Sequence, residues 1–369
     1  MKTRSLILIG ALLALVIVPA LPRDVLAQDG VTLTVVTHDS FAASEDVLAA
    51  FEAETGITLR ILRSGDAGTM VNQSVLSREN PLGDVLYGVD NTFLTRALDA
   101  DLFIPYESPE LANVPDAFII DDEFRALPVD YGDVCLNYDV AYFADNALPL
   151  PASLADLADP VYAGLLVVEN PATSSPGLAF LLATVAAFGD GAAEVAVTPE
   201  TDAAAPVFAD FLAYWQALVA NDVLVVDGWE QAYYGEFTVA GGGTRPLVVS
   251  YASSPPAEVY FAAEPPEQAP TASLTAPGMC FRQVEFVGIL AGTEHVEAAQ
   301  QFVDFMLGLD FQEDLPLNMF VFPVNEQAAL PEVFSEYAAI PEEPVTLDIA
   351  SIDANREAWV QAWTETVLR

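Results

Sequence analysis

Few side chains in this sequence are of the kinds that do covalent or metal chemistry. His38 and His295 are the two histidines, and neither stands at a spacing that pairs it with metal ligands of the usual sets. No nucleophile elbow and no phosphate-cradling loop with a lysine is present. Cys135 and Cys280 are the two cysteines. As a nucleophile either would need an activating base and access to a cleft. As partners they would make one disulfide, and a pair of buried thiols is the third possibility. Asp66 sits in the turn Gly65-Asp66-Ala67-Gly68 ahead of a helical pattern, where it serves equally as a cap or as a ligand contact. Ser174-Ser175-Pro176-Gly177 opens another helix. Its amides and hydroxyls suit an alcohol or phosphate oxygen, and they suit an N-cap with proline near N1 just as well. Trp229 follows the turn Asp227-Gly228, an unusual place for a core tryptophan.

The composition narrows what such residues can be for. The chain has 369 residues, 54 acidic and 12 basic side chains, and a net charge of −42. With 53% hydrophobic residues and only 18% charged ones, it can bury a sizeable core and is not a disordered acidic chain. That charge excludes a binder of nucleic acid or of anionic membrane. Lys2 and Arg4 precede an apolar run over residues 6–20, and Val25-Leu26-Ala27 follows. This is the pattern of a secretory signal peptide, residues 1–27, cut after Ala27 to leave Gln28. The run is short for a permanent anchor, and no cysteine follows it to carry a lipid. Beyond residue 27 the chain has no lysine and nine arginines. Export places the protein outside the cytoplasmic membrane, in an oxidising compartment that favours the Cys135–Cys280 disulfide.

The elements that must position these residues alternate along the chain. The spacing predicts strands over 31–37, 57–62 and 84–87. Helices lie between them, the first capped by Asp39-Ser40 and stopped by Gly56. The order repeats after residue 160, with a strand over 165–168, a helix over 177–188, a long helix over 205–221 and a strand over 247–251. A strand over 284–290 and an amphipathic helix over 296–307 close the pattern, with Ala298, Phe302, Phe305 and Met306 inward. The proline-rich stretch 264–277 is expected to be a surface loop. No internal sequence repeat is visible. Two α/β units joined near 130 and 280 make two lobes, with ligand loops at the carboxyl ends of the strands and a cleft between them. The expected division is 28–132 for the first part of lobe one, 133–280 for lobe two, and 281–369 for the rest of lobe one with a C-terminal helix.

The run Leu33-Thr34-Val35-Val36-Thr37-His38-Asp39-Ser40-Phe41-Ala42 resembles the first strand and loop of thiamine-binding periplasmic proteins, the solute receptors of the thiamine ABC importer. Matching blocks follow in order: Gly83-Asp84-Val85-Leu86-Tyr87-Gly88-Val89-Asp90-Asn91, Val129-Asp130-Tyr131-Gly132, and Thr173-Ser174-Ser175-Pro176-Gly177-Leu178. After them come Gly228-Trp229-Glu230-Gln231-Ala232-Tyr233, Ser250-Tyr251-Ala252-Ser253-Ser254-Pro255, Phe322-Pro323-Val324, and the closing segment from Asn355 to Trp363. Together they cover nearly all of the chain beyond residue 27.

The resemblance implies a two-lobed type II periplasmic binding protein fold with two hinge crossings, no catalytic activity and no cofactor. Its partners would be thiamine or thiamine phosphates and an ABC importer permease, and the protein would be a monomer. The family's site maps onto Asp66, Ala67, Ser174, Ser175, Trp229, Tyr251, Ala252, Ser253 and Ser254, with Tyr260 and Phe320 as further cleft aromatics. The sequence departs from the family at Ala67, where a glycine is usual, at Phe320 in place of tryptophan, and at His38 in place of tyrosine. An aromatic face holding the thiazolium cation is worth roughly 0.5–2 kcal/mol. Two other readings use the same scaffold: a secreted thiaminase with Cys135 as nucleophile, and a receptor for Fe(III) or a polyamine, toward which Tyr233-Tyr234 would be the lure.

Overall fold

A computed structural model describes residues 30–191, 207–264 and 266–369. The expected signal segment and the first residues of the helix expected from 205 lie outside the described residues. Among the described residues, eleven strands form one mixed sheet: β1 (Thr32–Thr37), β2 (Thr58–Arg63), β3 (Val85–Asp90), β4 (Phe103–Ile104), β5 (Leu127–Asp139), β6 (Leu166–Glu169), β7 (Leu224–Val226), β8 (Leu247–Tyr251), β9 (Thr271–Leu274), β10 (Phe281–Leu290) and β11 (Phe322–Pro323).

Pairing divides this sheet into two halves built alike. In the first, the order is β2-β1-β3-β10-β5, parallel through β2, β1 and β3 and antiparallel at β10. In the second, the order is β7-β6-β8-β5-β9, parallel through β7, β6 and β8 and antiparallel at β5. The halves are repeats in structure although no repeat exists in sequence. They share the long antiparallel pair β5 and β10, in which Phe281 faces Val134 and Val287 faces Leu127. These strands carry the chain between the lobes, so the molecule is a two-lobed α/β fold with its crossings side by side.

Local chemistry explains most element ends. Ser44, not Asp39-Ser40, caps helix Glu45–Thr55: its hydroxyl accepts the Val47 amide at 3.2 Å, and Glu45 and Asp46 complement the first turn. Asp39 instead accepts the Gly65 amide at 3.0 Å. The long helix after 205 is shorter than expected, running Phe211–Ala220, because Asp210 caps it by accepting the Ala213 amide at 2.8 Å. Phe208 lies before that cap and packs on Phe188 and Tyr214. The proline-rich stretch contains β9, which finds its hydrogen bonds along β5. β1 and β3 are buried on both faces, as interior parallel strands are. Leu33, Val35 and Tyr87 look into one core with Phe302 and Met306 of helix Val296–Leu307, while Val36 and Leu86 look into the other. Phe305 is only partly buried at the edge of that first core.

Two devices tie the crossing together. Arg282 grips the buried Asp133 with two hydrogen bonds of 2.9 and 2.8 Å across β10 and β5. Cys135 and Cys280 form a disulfide, their Cα atoms 4.3 Å apart and 145 residues apart in sequence. The closing helix Ile349–Val367 straps both halves: Trp363 meets Trp215 edge-on at 5.4 Å, and Arg356 donates to the Thr92 carbonyl at 3.2 Å.

Candidate functional site

The loops at the carboxyl ends of β1, β2, β6, β7 and β8 face one another around a cavity of about 800 Å³, within the size range of small-molecule sites. Asp66, Ala67, Ser175, Trp229, Tyr251, Ser254 and Phe320 all line it. Ser174 is fully buried and does not line it, and Ala252 and Ser253 are buried behind it, so these three shape the loops. Tyr260 is not on the lining and is 49% exposed; the following residue, Phe261, lines the cavity instead. The physical reason is helical phase. Helix Pro255–Tyr260 ends there, and one residue further along a helix turns the side chain by about 100°. Tyr260 and Phe261 both touch the Phe320 ring, at 6.3 and 5.6 Å, and Phe320 itself takes the left-handed conformation, φ 55°.

Asp66 does more than cap its helix. Oδ1 accepts the Ala67 amide at 2.7 Å and the Ser175 amide at 3.2 Å, and Oδ2 accepts the Trp229 amide at 3.1 Å. One carboxylate from the first half thus binds backbone N–H groups of two loops from the second. Beside it the Thr69 amide donates to the Thr173 carbonyl at 3.3 Å. Gly68 permits this approach, since a Cβ there would stand 2.8 Å from that same carbonyl oxygen. Burial pushes the Asp66 carboxyl up, and the Trp229 and Ser175 amides pull against that shift.

Trp229 begins a short helical segment, Trp229–Gln231, and its indole is a braced plate. Nε1 donates to Ser250 Oγ at 2.9 Å, and Ser250 in turn bonds Ser254 at 2.9 Å. One face of the ring stacks on buried Tyr233 at 5.1 Å and 17°. Tyr251 stands 6.3 Å away at 63°. Burial, with the nearby Glu285 and Asp90 carboxylates, holds the Tyr251 phenol well above its ordinary value. Its hydroxyl therefore stays protonated, on a residue that lines the cavity.

Beneath these aromatics lies a layer of buried acids that motif reasoning did not single out. Glu285 on β10 faces Asp130 on β5 and Asp90 on β3. The Tyr87 hydroxyl lies within hydrogen-bond distance of both Asp130 and Glu285, with one proton to share between them. His38 Nε2 lies 3.5 Å from Glu285 Oε1, and both residues are buried. Burial pulls the His38 imidazole down, but Glu285 beside it, helped by the Asp66 and Asp39 charges, more than offsets that, and the net shift is upward. Burial acts upward on Glu285 too, yet His38 holds it below the usual glutamate range. Asp130 is pushed well up by burial and by the Glu285 charge, and Asp90 is pushed up to about 6, mainly by burial. Gly88, at φ 96°, leaves the room His38 needs: a Cβ there would stand 2.2 Å from the imidazole. The available signal was the polar residues inside apolar strands, such as Glu285 amid Val284, Phe286 and Val287.

An aromatic plate, a protonated phenol and surrounding carboxylates suit a flat cationic heterocycle. They do not make a nucleophile. The Cys135 sulfur is consumed in the disulfide and the residue is fully buried, so the thiaminase reading, which needs a free thiol, is overturned.

Fold and cleft define a two-lobed solute receptor. The family model described as bacterial extracellular solute-binding protein matches residues 46–342, and the chain belongs to that family. The chain is 30% identical over 342 residues to the thiamine-binding periplasmic protein of Salmonella typhimurium, covering 91% of this chain and 94% of that protein. The Escherichia coli protein of the same name matches to the same extent. Among solved structures, a periplasmic thiamin binding protein superposes with a TM-score of 0.76 at 28% identity, covering 92% of this chain and 96% of the other. Iron-bound HitA from Pseudomonas aeruginosa, at 19% identity and a TM-score of 0.69 over 91% of this chain and 99% of the other, shares the fold.

Proposed function

We propose that the protein is an extracytoplasmic receptor that binds thiamine in the cleft between its lobes and delivers it to an ABC importer. The observation that carries this reading is the braced Trp229 plate set over the buried carboxylates of the cleft, in a chain whose relatives are thiamine-binding periplasmic proteins. A thiazolium joined to an aminopyrimidine offers the flat cationic faces that such a site holds. The receptor acts in the periplasm, without catalysis, as a monomer. Residues 28–132 with 281–369, and residues 133–280, are the two bodies that close on the ligand about β5 and β10. Asp66, Ala67, Ser175, Trp229, Tyr251, Ser254 and Phe320 contact the vitamin, with Ser174, Ala252 and Ser253 supporting them from behind.

Isothermal titration of the purified protein with thiamine tests the reading, with Fe(III) and spermidine as competing ligands. Thiamine at 100 times its dissociation constant stabilises by about 2.7 kcal/mol, enough to raise the melting temperature visibly. No heat and no thermal shift at millimolar thiamine would remove thiamine as the ligand.

A further inference from the structure

We infer that His38 trades its proton for the cationic ligand: uptake of thiamine into the cleft expels that proton, so affinity rises with pH. The inference rests on the thiamine reading above and adds to it how the same site is regulated. The first observation is geometric. His38, from the loop after β1, and Glu285 of β10 both line the cavity, and among the described residues neither an arginine nor a lysine does. Both oxygens of Glu285 are engaged: Oε2 lies 3.0 Å from the Tyr87 hydroxyl, and Oε1 lies 3.5 Å from His38 Nε2. The second contact is longer than an ordinary N–H···O hydrogen bond. Charge is what holds His38 to Glu285, and a second cation in the same cavity opposes it.

The second observation is what surrounds the pair. From β3, the Tyr87 ring lies 5.8 Å from the His38 ring. The turn after β2 contributes the Asp66 charge, and Asp39 adjoins His38 in its own loop. Behind Glu285 stand Asp130 of β5 and Asp90 of β3, and Tyr251 of β8 lies in the field of the same carboxylates. His38 and Glu285 are both buried, so salt and water screen them little. Burial pulls the imidazole down, yet Glu285, Asp66 and Asp39 together carry it above its ordinary 6.5. The unliganded receptor therefore holds the His38 proton at pH 6.5 and sheds it as pH rises through the raised value. The thiazolium nitrogen is quaternary and keeps its charge throughout. A unit charge a few ångströms from another, at the effective dielectric of a protein interior, moves an equilibrium by more than about tenfold. Bound thiamine thus lowers the His38 value, and it pushes the neighbouring acids toward proton loss as well. By linkage, each proton expelled on binding makes binding tighter as pH rises.

The test is NMR titration of the imidazole signals from pH 5.5 to 8.5, with and without saturating thiamine. The chain has two histidines, and His295, which does not line the cavity, is the internal reference. We expect thiamine to lower the His38 midpoint by about 1 pH unit or more and to leave His295 in place. Calorimetry should show affinity rising at least about threefold from pH 6.5 to 8.5. Repeating it in two buffers of different ionisation enthalpy should show protons released on binding. A His38 midpoint unmoved or raised by thiamine, or proton uptake on binding, overturns the inference while the heat of thiamine binding leaves the receptor reading intact. Absence of any thiamine binding removes the receptor reading and this inference with it.

Discussion

The Asp66 carboxylate accepts the Trp229 amide at 3.1 Å across the cleft, while its other oxygen accepts Ser175. Both bonds join one half of the molecule to the other, so a hinge opening of the cleft would break them. Charge-assisted hydrogen bonds of this kind are worth about 1.5–3 kcal/mol each against the bond-free state. Part of that is offset by the water that Asp66 gives up. Asp66→Ala should therefore weaken thiamine binding by about 1–3 kcal/mol. Small-angle scattering should show the saturated variant retaining a larger radius of gyration than the saturated wild type. Unchanged affinity together with full compaction would mean that Asp66 is only a helix cap.

Trp229 can be separated into plate and brace. Trp229→Phe keeps an aromatic face over Tyr233 but loses the bond to Ser250, which should cost about 1 kcal/mol. Trp229→Ala removes the plate and should cost binding about 1–3 kcal/mol more. Titration calorimetry gives the binding loss, and urea unfolding of the empty protein gives the stability loss. Equal losses from both experiments for the alanine variant would make Trp229 a packing residue rather than a ligand platform.

The alternation of strands and helices was legible because helix caps, glycine stops and apolar periodicity are local signals. Gly56 ends its helix at φ 72° as read, and helix Val296–Leu307 falls where its apolar spacing put it. What was not legible depends on contacts between distant residues. Asp66 stood out as a turn residue, but its partners at 175 and 229 are backbone amides, which no residue type announces. His38 and Glu285 are 247 positions apart and meet only through the register of β10 against β3 and β5. Tyr260 and Phe261 are adjacent aromatics, and a spacing argument cannot decide which one a short helix turns toward the cleft. β9 sits in a stretch whose prolines suggest a loop, and it becomes a strand because β5 offers it an edge.

The His38–Glu285 pair makes stability depend on pH in a definite direction. The folded His38 value is raised above the ordinary 6.5. Its contribution is therefore complete below about pH 6.5 and is lost as pH rises through the raised value. Glu285 is lowered, so its contribution is present above about pH 4.3 and is lost as pH falls through the lowered value. Asp90, pushed up to about 6, adds a cost that grows as pH rises toward that value. Together these place greatest stability at mildly acidic pH, with a decline toward pH 8.5. Melting curves from pH 4.5 to 8.5 should show that decline in the wild type. His38→Gln should be shallower above pH 6.5 and about 1–3 kcal/mol less stable near pH 5.5, because a buried acid loses its partner. Parallel curves for the two proteins would show that the pair contributes nothing to the dependence.

The disulfide joins the ends of the segment between the crossings, closing a loop of 145 residues while sitting beside strands that pair directly. A cross-link of this length acts mainly on the unfolded chain, and native bridges commonly contribute about 2–4 kcal/mol. It should have little effect on closure, because Val134 and Phe281, which neighbour the two cysteines, already face each other across β5 and β10. Cys135→Ser/Cys280→Ser is therefore expected to lower the urea midpoint by an amount equivalent to about 2–4 kcal/mol, with thiamine affinity within about threefold of wild type. Free-thiol labelling of the denatured, unreduced wild type supplies the companion measurement and should find no reactive thiol. Two labelled cysteines would refute the bridge. A double variant as stable as the wild type would show that pairing of the crossing strands alone constrains this hinge.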